Sequence, residues 1–243
     1  MQTSEDPGSR RDLSDRQATL RGAIDWSWDL LTDWEKSALG QCSQFRGGFA
    51  LEDAEAVLDL SLWPDAPWPM DAVEALLDHS LLRLVGGGDT GTRLNMLLSI
   101  RDYAAEKLER REAVALRHAR HYAKLGTEEA LRKLKGPEGL SARAILAREM
   151  ENLIQGAESA MTLRAQETTV SCTAAVLCHL DRHGPMALGL KLVDQVLDLK
   201  DLEDPHALRL HYLRSWLRRS AGDLPGAETD LRAALELSRE LQD

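Results

Sequence analysis

Aromatic residues are scarce in this chain of 243 residues, which holds six Trp but only two Phe and three Tyr. Strands draw on aromatic and β-branched side chains, whereas Leu and Ala carry the apolar content here and favour helix. Cysteine is nearly absent. Cys42, Cys172 and Cys178 form no metal-ligand spacing, and an odd number argues against a disulfide framework, so a reducing cytoplasm is the expected setting. Positive charge is also in deficit, with a formal net charge of −10. Such a chain repels a phosphate backbone unless its basic residues are segregated. They do cluster locally, at Arg110–Arg111, 117–124, 132–135 and 214–219, but beside acids in helical context, which reads as solvated helix faces. No apolar run approaches the ~20 residues of a membrane span, and residues 1–7 have no signal core. A membrane partner is not expected.

What is present is helical periodicity with sharp punctuation. Residues 1–15 read as a polar leader, and a first helix is predicted over 17–31. Leu20, Ile24, Trp28 and Leu31 recur on one face of it and should meet a core. Ala23, Trp26 and Leu30 widen that face beyond the arc an ordinary surface helix buries. These three are therefore the candidate protein-docking residues, with Trp26 more exposed than a buried Trp28. Thr32 and Glu35 match a capping box for the next helix, which should turn Trp34, Ala38, Leu39 and Cys42 inward. Short helices are expected over 51–60 and 70–80, the second after the Pro-rich loop 63–69. Strands over 82–85 and 93–98 would flank a glycine-rich turn, giving a hairpin. Three helices followed by a hairpin is winged-helix order. A long helix from Ser99 towards Leu125 follows, and from about Ala142 the chain reads as helix after helix.

The C-terminal part carries an internal echo. Gly222, Asp223 and Ala227, followed by Leu231 and Ala234, resemble the turn and close crossing of a tetratricopeptide repeat (TPR). Gly184 marks an earlier and irregular echo. Gly184, Gly222, Asp223 and Ala227 are thus candidate structural residues of repeat turns, and an ordinary helical bundle is the alternative.

Five phrases, in order, resemble one protein class. Residues 19–31 are similar to the segment that opens the winged helix of bacterial signal-transducing P-loop ATPases of the STAND class. Residues 76–82, 93–104, 118–122 and 146–153 are similar to later phrases of the same class. The resemblance covers about 16–243 and implies a mainly α chain: a winged-helix module with a small β-hairpin over 16–98, a linking helix and connector over 99–140, and a TPR-like α-solenoid over 141–243. The ATPase core of that class is missing. The chain would be a regulatory arm that docks on a P-loop ATPase core in cis or trans and offers its repeat groove to a protein or peptide. A gene fragment cut from such a protein is a third possibility.

Candidate chemistry is sparse. Gly86–Arg93 mimics P-loop glycine spacing, but Thr92 stands where the phosphate-reaching Lys belongs. The resemblance places the class's nucleotide-contacting triplet on Met96, Leu97 and Leu98, all apolar. His118 with His121, and Cys172, Cys178, His179 and His183, are the possible metal groups, and neither supplies a standard ligand set. Asp53 and Glu55 read as surface carboxylates without a pocket. The expectation is therefore no enzyme, no cofactor and no metal: a non-catalytic protein-protein interaction module, the sensor or autoinhibitory arm of a signalling ATPase or transcriptional regulator. The alternative is a winged-helix DNA-binding transcriptional regulator. Against it, the candidate recognition helix 71–80 carries Asp71, Glu74 and Asp78 and no Arg or Lys, which would oppose phosphates. Nucleic acid is therefore an unlikely partner.

Overall fold

The computed structural model describes residues 19–86 and 92–242. The leader 1–15, the start of the first helix and the glycine-rich tip at 87–91 lie outside them. The described chain is mainly helical with one two-stranded antiparallel sheet. It divides into two compact units, Met1–Ser43 with Leu58–Glu109, and Gln44–Val57 with Arg110–Asp243. No helix among the described residues is long and apolar enough to cross a membrane.

The first unit holds α1 (19–29) and α2 (Asp33–Cys42). After α3 (Leu51–Val57), which belongs to the other unit, come α4 (Pro69–Asp78), β1 (Arg83–Val85), β2 (Arg93–Asn95) and α5 (Leu98–Lys107). The capping box is formed: Glu35 N–H donates to Thr32 Oγ1 at 3.4 Å, and Thr32 N–H donates to Glu35 Oε2 at 2.7 Å. Burial works to raise the Glu35 pKa, but the Thr32 bonds and the nearby His79 outweigh it and leave the carboxyl below its ordinary value. Gln41 clamps the returning chain, donating to Asp59 O at 2.8 Å and accepting from Asp59 N–H at 2.9 Å. Tyr103 on α5 donates to Asp25 on α1 at 2.6 Å and meets Trp28 edge-on at 5.6 Å. Ile24, Leu31, Ala38, Leu39, Leu76 and Ile100 are buried.

Several sequence expectations need correction here. Leu20 is half exposed, and Trp28 and Trp34 are only part-buried, so the buried stripe of α1 shrinks to Ile24 with Leu31 just beyond it. The strand expected over 93–98 ends at Asn95, because Leu97 is the extended cap of α5. The helix expected over 51–60 stops at Val57. The long helix expected from Ser99 towards Leu125 is two helices. Leu108 is extended and Arg110 is left-handed at φ 50°. Packing explains the break: the Leu108 backbone lies 3.5 Å from where a side chain on Gly40 would begin, and that contact with α2 overrides helix propensity.

The second unit contains α3, α6 (Arg111–Ala123), a 3-10 turn (Lys124–Gly126), α7 (Glu128–Lys133) and α8 (Gly139–Arg148). It continues through α9 (Met150–Thr162), α10 (Gln166–His183), α11 (Met186–Leu197), α12 (Asp204–Ser220) and α13 (Leu224–Glu240). Helix α10 is its axis and packs against α6, α8, α9, α11 and α12. Its buried side chains are mostly small, among them Ser171, Cys172, Thr173, Ala174 and Ala175, which lets helix axes approach closely. Segment 44–57 packs on α6 and α9. Phe45 stacks on Phe49 at 4.1 Å and lies edge-on to His118 at 5.3 Å. Buried Asn152 accepts from Arg46 N–H at 2.7 Å and donates to Gly48 O at 2.9 Å. Asp53, expected on an open surface, instead meets His121 Nε2 at 2.6 Å and is part-buried.

Helices α12 and α13 form a tight pair. Gly222 turns between them at φ +85°, Asp223 caps α13 by accepting from Gly226 N–H at 3.0 Å, and Ala227 is buried. Asp230 is 1% exposed and accepts from Arg214 Nε at 3.0 Å, lies 2.9 Å from His211 Nδ1 and pairs with Arg218 at 3.0 Å. Burial pushes its pKa up, but these bonds and the Arg214 and Arg218 charges outweigh it and hold the carboxyl below its ordinary value.

Candidate functional site

A groove of about 390 Å³ opens in the second unit, walled by α7, α8, α10 and α12. Its floor is apolar. Leu146 and Leu177 are buried beneath it, and Leu131 and Leu134 line one side. The opposite side is aromatic: Tyr212 and Trp216 stand one helical turn apart on α12, with ring centroids 5.7 Å apart. His179 and His183, one turn apart on α10, stack at 4.8 Å. Both pairs follow from i, i+4 spacing, which places side chains on one helix face.

The rim is cationic. Arg132, Lys135, Arg143, Arg182 and Arg209 line the groove against only two carboxylates, Glu128 and Asp181. Asp181 is engaged by the Ser220 hydroxyl at 2.6 Å. Backbone carbonyls hold three of the five, with Arg132 Nε donating to Glu128 O at 3.4 Å. Arg143 donates to Leu134 O at 2.5 Å, and Arg209 donates to Gly126 O. Lys135 Nζ lies 5.3 Å from the centre of the Trp216 ring, and Arg219 Cζ lies 5.2 Å from it. Among the described residues no carboxylate forms an ion pair with any of the five lining cations.

His179 and Cys178 lie between them and are neutral near pH 7. Burial, then the His183 charge, holds His179 below the ordinary imidazole range. Burial pushes the Cys178 thiol up to about 11, so it is not a thiolate and not a nucleophile at neutral pH. Burial also lowers the Arg209 pKa, yet a guanidinium stays charged at any physiological pH. The groove thus offers fixed positive charge over an apolar floor, an arrangement suited to binding.

Most of the residues singled out from sequence fall elsewhere, while Cys178, His179 and His183 line the groove. Ala23 and Trp26 are exposed on α1, Trp26 at 68%, and Leu30 is exposed just after it. Gly184, at φ +62°, sits at the turn before α11, Gly222 and Asp223 sit at the turn before α13, and Ala227 is buried in the first turn of α13. His118 is buried, its ring 3.3 Å from Asn152 Oδ1, and burial lowers its pKa to about 4. Cys172 is buried with Sγ 3.5 Å from Ala119 O, apart from the groove-lining Cys178, His179 and His183. Among the described residues no group of three or more His, Cys, Asp or Glu could hold a metal. Met96 is buried while Leu97 and Leu98 are exposed at the start of α5. The P-loop-like stretch lies largely outside the described residues. Sequence reasoning missed the groove because Arg132 and Lys135 read as one solvated charge cluster. The available signal was the i, i+4 aromatic pair Tyr212 and Trp216 on a helix poor in other aromatics.

No protein-family model matches the chain, and no solved structure matches it. Three curated proteins do, each 34% identical over 154 residues. One is from Mycobacterium bovis and two are from strains of Mycobacterium tuberculosis, and all are named as candidate HTH-type transcriptional regulators. The similarity covers 60% of this chain but only 16% of each relative's length. The chain is thus similar to a minor part of much larger proteins whose names point to transcription regulation.

Proposed function

We propose that this chain is a regulatory, non-catalytic segment of a bacterial transcription regulator working in the cytoplasm, and that its second unit receives the signal. The observation that carries this reading is the cationic groove: five positive side chains line it, and among the described residues none forms an ion pair with a carboxylate, in a chain of net charge −10. The relatives' names support transcription as the output. The resemblance noted from sequence supplies the finer picture. There the first unit is a winged helix that docks on a P-loop ATPase core through Ala23, Trp26 and Leu30, and the later helices are a TPR-like solenoid. In this reading the chain alone binds no ATP.

The test is transcript profiling in a strain lacking the protein that carries this chain. A limited set of promoters should change, and the unaltered protein should restore them while a Lys135→Glu variant does not. Unchanged transcripts, or full restoration by the variant, would count against the proposal.

A second reading is direct DNA binding by a winged helix, favoured by the HTH-type designation of the relatives. The surface of α4 speaks against it, since Asp71, Glu74 and Asp78 are exposed and the helix has no Arg or Lys. Acids on a groove-entering helix meet phosphate repulsion. A mobility-shift selection from random duplexes at about 150 mM salt separates the readings, because enrichment of one sequence would favour this second one.

A further inference from the structure

We propose that the groove between α7, α8, α10 and α12 is a binding site for a small organic anion, an apolar or aromatic body bearing a carboxylate or a phosphate. The proposal deepens the regulatory reading: it rests on that reading only in making the ligand a signal, and binding is measurable without it.

The volume sets the size class. About 390 Å³ lies at the small end of sites for compact ligands, and Leu146 and Leu177 close the floor. A peptide would run beyond these walls. The sign of the ligand follows from charge. Arg132, Lys135, Arg143, Arg182 and Arg209 outnumber the two lining carboxylates, Glu128 and Asp181, so the groove carries an excess of positive charge. An anion offsets that excess. Preorganisation favours binding further. Arg143 and Arg209 are already held by the carbonyls of Leu134 and Gly126, so less side-chain freedom is lost when the ligand arrives. Arg forks suit both carboxylate and phosphate. The body of the ligand follows from the walls, because Leu131, Leu134 and the Trp216 indole offer apolar contact.

The experiment uses the full chain and two fluorescent probes of one shape: anilinonaphthalene sulfonate, which is anionic, and N-phenylnaphthylamine, which is not. The expected result is saturable, single-site binding of the sulfonate and far weaker binding of the neutral probe. Lys135→Glu and, separately, Arg132→Glu change exposed side chains and should leave the melting temperature in place. Each should weaken sulfonate binding by about tenfold or more without affecting the neutral probe. Lys191→Glu, outside the groove, should change neither. Benzoate and phenyl phosphate then compete. Displacement by either at about 10 mM or below supports the proposal, and the lower of the two concentrations assigns the carboxylate or the phosphate. Equal binding of both probes, sulfonate binding that both reversals leave intact, or displacement by a glutamate-rich peptide but by neither small anion would overturn it. Such failure leaves the transcript test above unaffected, so the two readings fail separately.

Discussion

Gly126 and Gly222 show how one residue type meets two different demands. At Gly126 an added Cβ would lie 1.7 Å from Ser171 O, a collision with the backbone of α10 that no rotamer can relieve. At Gly222 the space around an added Cβ is empty, and only the φ of +85° is at issue. Gly126→Ala should therefore cost about 3 kcal/mol or more, as for severe overpacking, and Gly222→Ala about 1 kcal/mol, as for a side chain forced into the left-handed region. Urea unfolding of the two variants checks the order; equal costs would contradict it. A titration prediction belongs to His118. Its pKa is about 4 when folded against an ordinary 6.5, because burial disfavours the charged ring. The unfolded chain binds the proton first as pH falls. The contribution is therefore intact above about pH 6.5 and is lost progressively between 6.5 and 4. From pH 7 to pH 5 the native chain should lose about 2 kcal/mol more stability than a His118→Phe variant. Matching losses would show that His118 protonates freely in the fold. At this scale the sequence showed Gly222 and the Thr32 cap, whose cues are local. It could not show Gly126 or His118, whose meaning comes from Ser171 and Asn152 far along the chain.

Helix α1 tests how well helical periodicity reports burial. Its expected inward stripe of Leu20, Ile24, Trp28 and Leu31 is truly buried only at Ile24 and Leu31. Trp28 rests part-buried against Tyr103, while Trp26 stands 68% exposed. Trp26→Ala should thus leave stability within about 0.5 kcal/mol, the range for surface substitutions. Trp28→Ala should cost about 2 kcal/mol, below the 3–5 kcal/mol of a fully buried large aromatic. Denaturant melts of the two variants decide it, and a large loss for Trp26→Ala would make α1 a core helix on both faces. Periodicity named the right helix and the more exposed tryptophan. It overstated the depth because a repeat pattern gives direction around an axis but not what lies opposite. The same gap explains the break at Leu108–Arg110. Propensity alone runs the helix on, and only the close approach of Leu108 to Gly40 stops it.

At the scale of the whole chain, the mainly helical class was legible from composition, and the order of short helices followed by a hairpin from turn residues. The grouping of the helices was not. Segment 44–57 reads as part of the region before the hairpin, yet it packs with the helices after residue 110. Its attachment is made by Phe45, Phe49, Arg46 and Asp53 to residues on α6 and α9, and no local pattern announces partners so distant. A fragment of residues 110–243 alone should accordingly be less stable than the same helices in the full chain, by several kcal/mol for the lost aromatic cluster. A synthetic peptide of residues 44–57 should raise its melting temperature in a dose-dependent way. If the fragment melts like the full chain and ignores the peptide, the segment is an ornament and not part of the core. The interleaving also bears on synthesis. Arg46 reaches its partner Asn152 only 106 residues later, which at ribosomal speeds of about 5–20 residues per second is roughly 5–20 s. For the first part of that interval Phe45 and Phe49 have left the ribosome before His118 and Tyr122 on α6 can meet them, while the flanking segments can already pair with each other around them. The nascent chain must carry this apolar loop unsatisfied, a natural target for chaperones, until α6 and then α9 emerge to receive it.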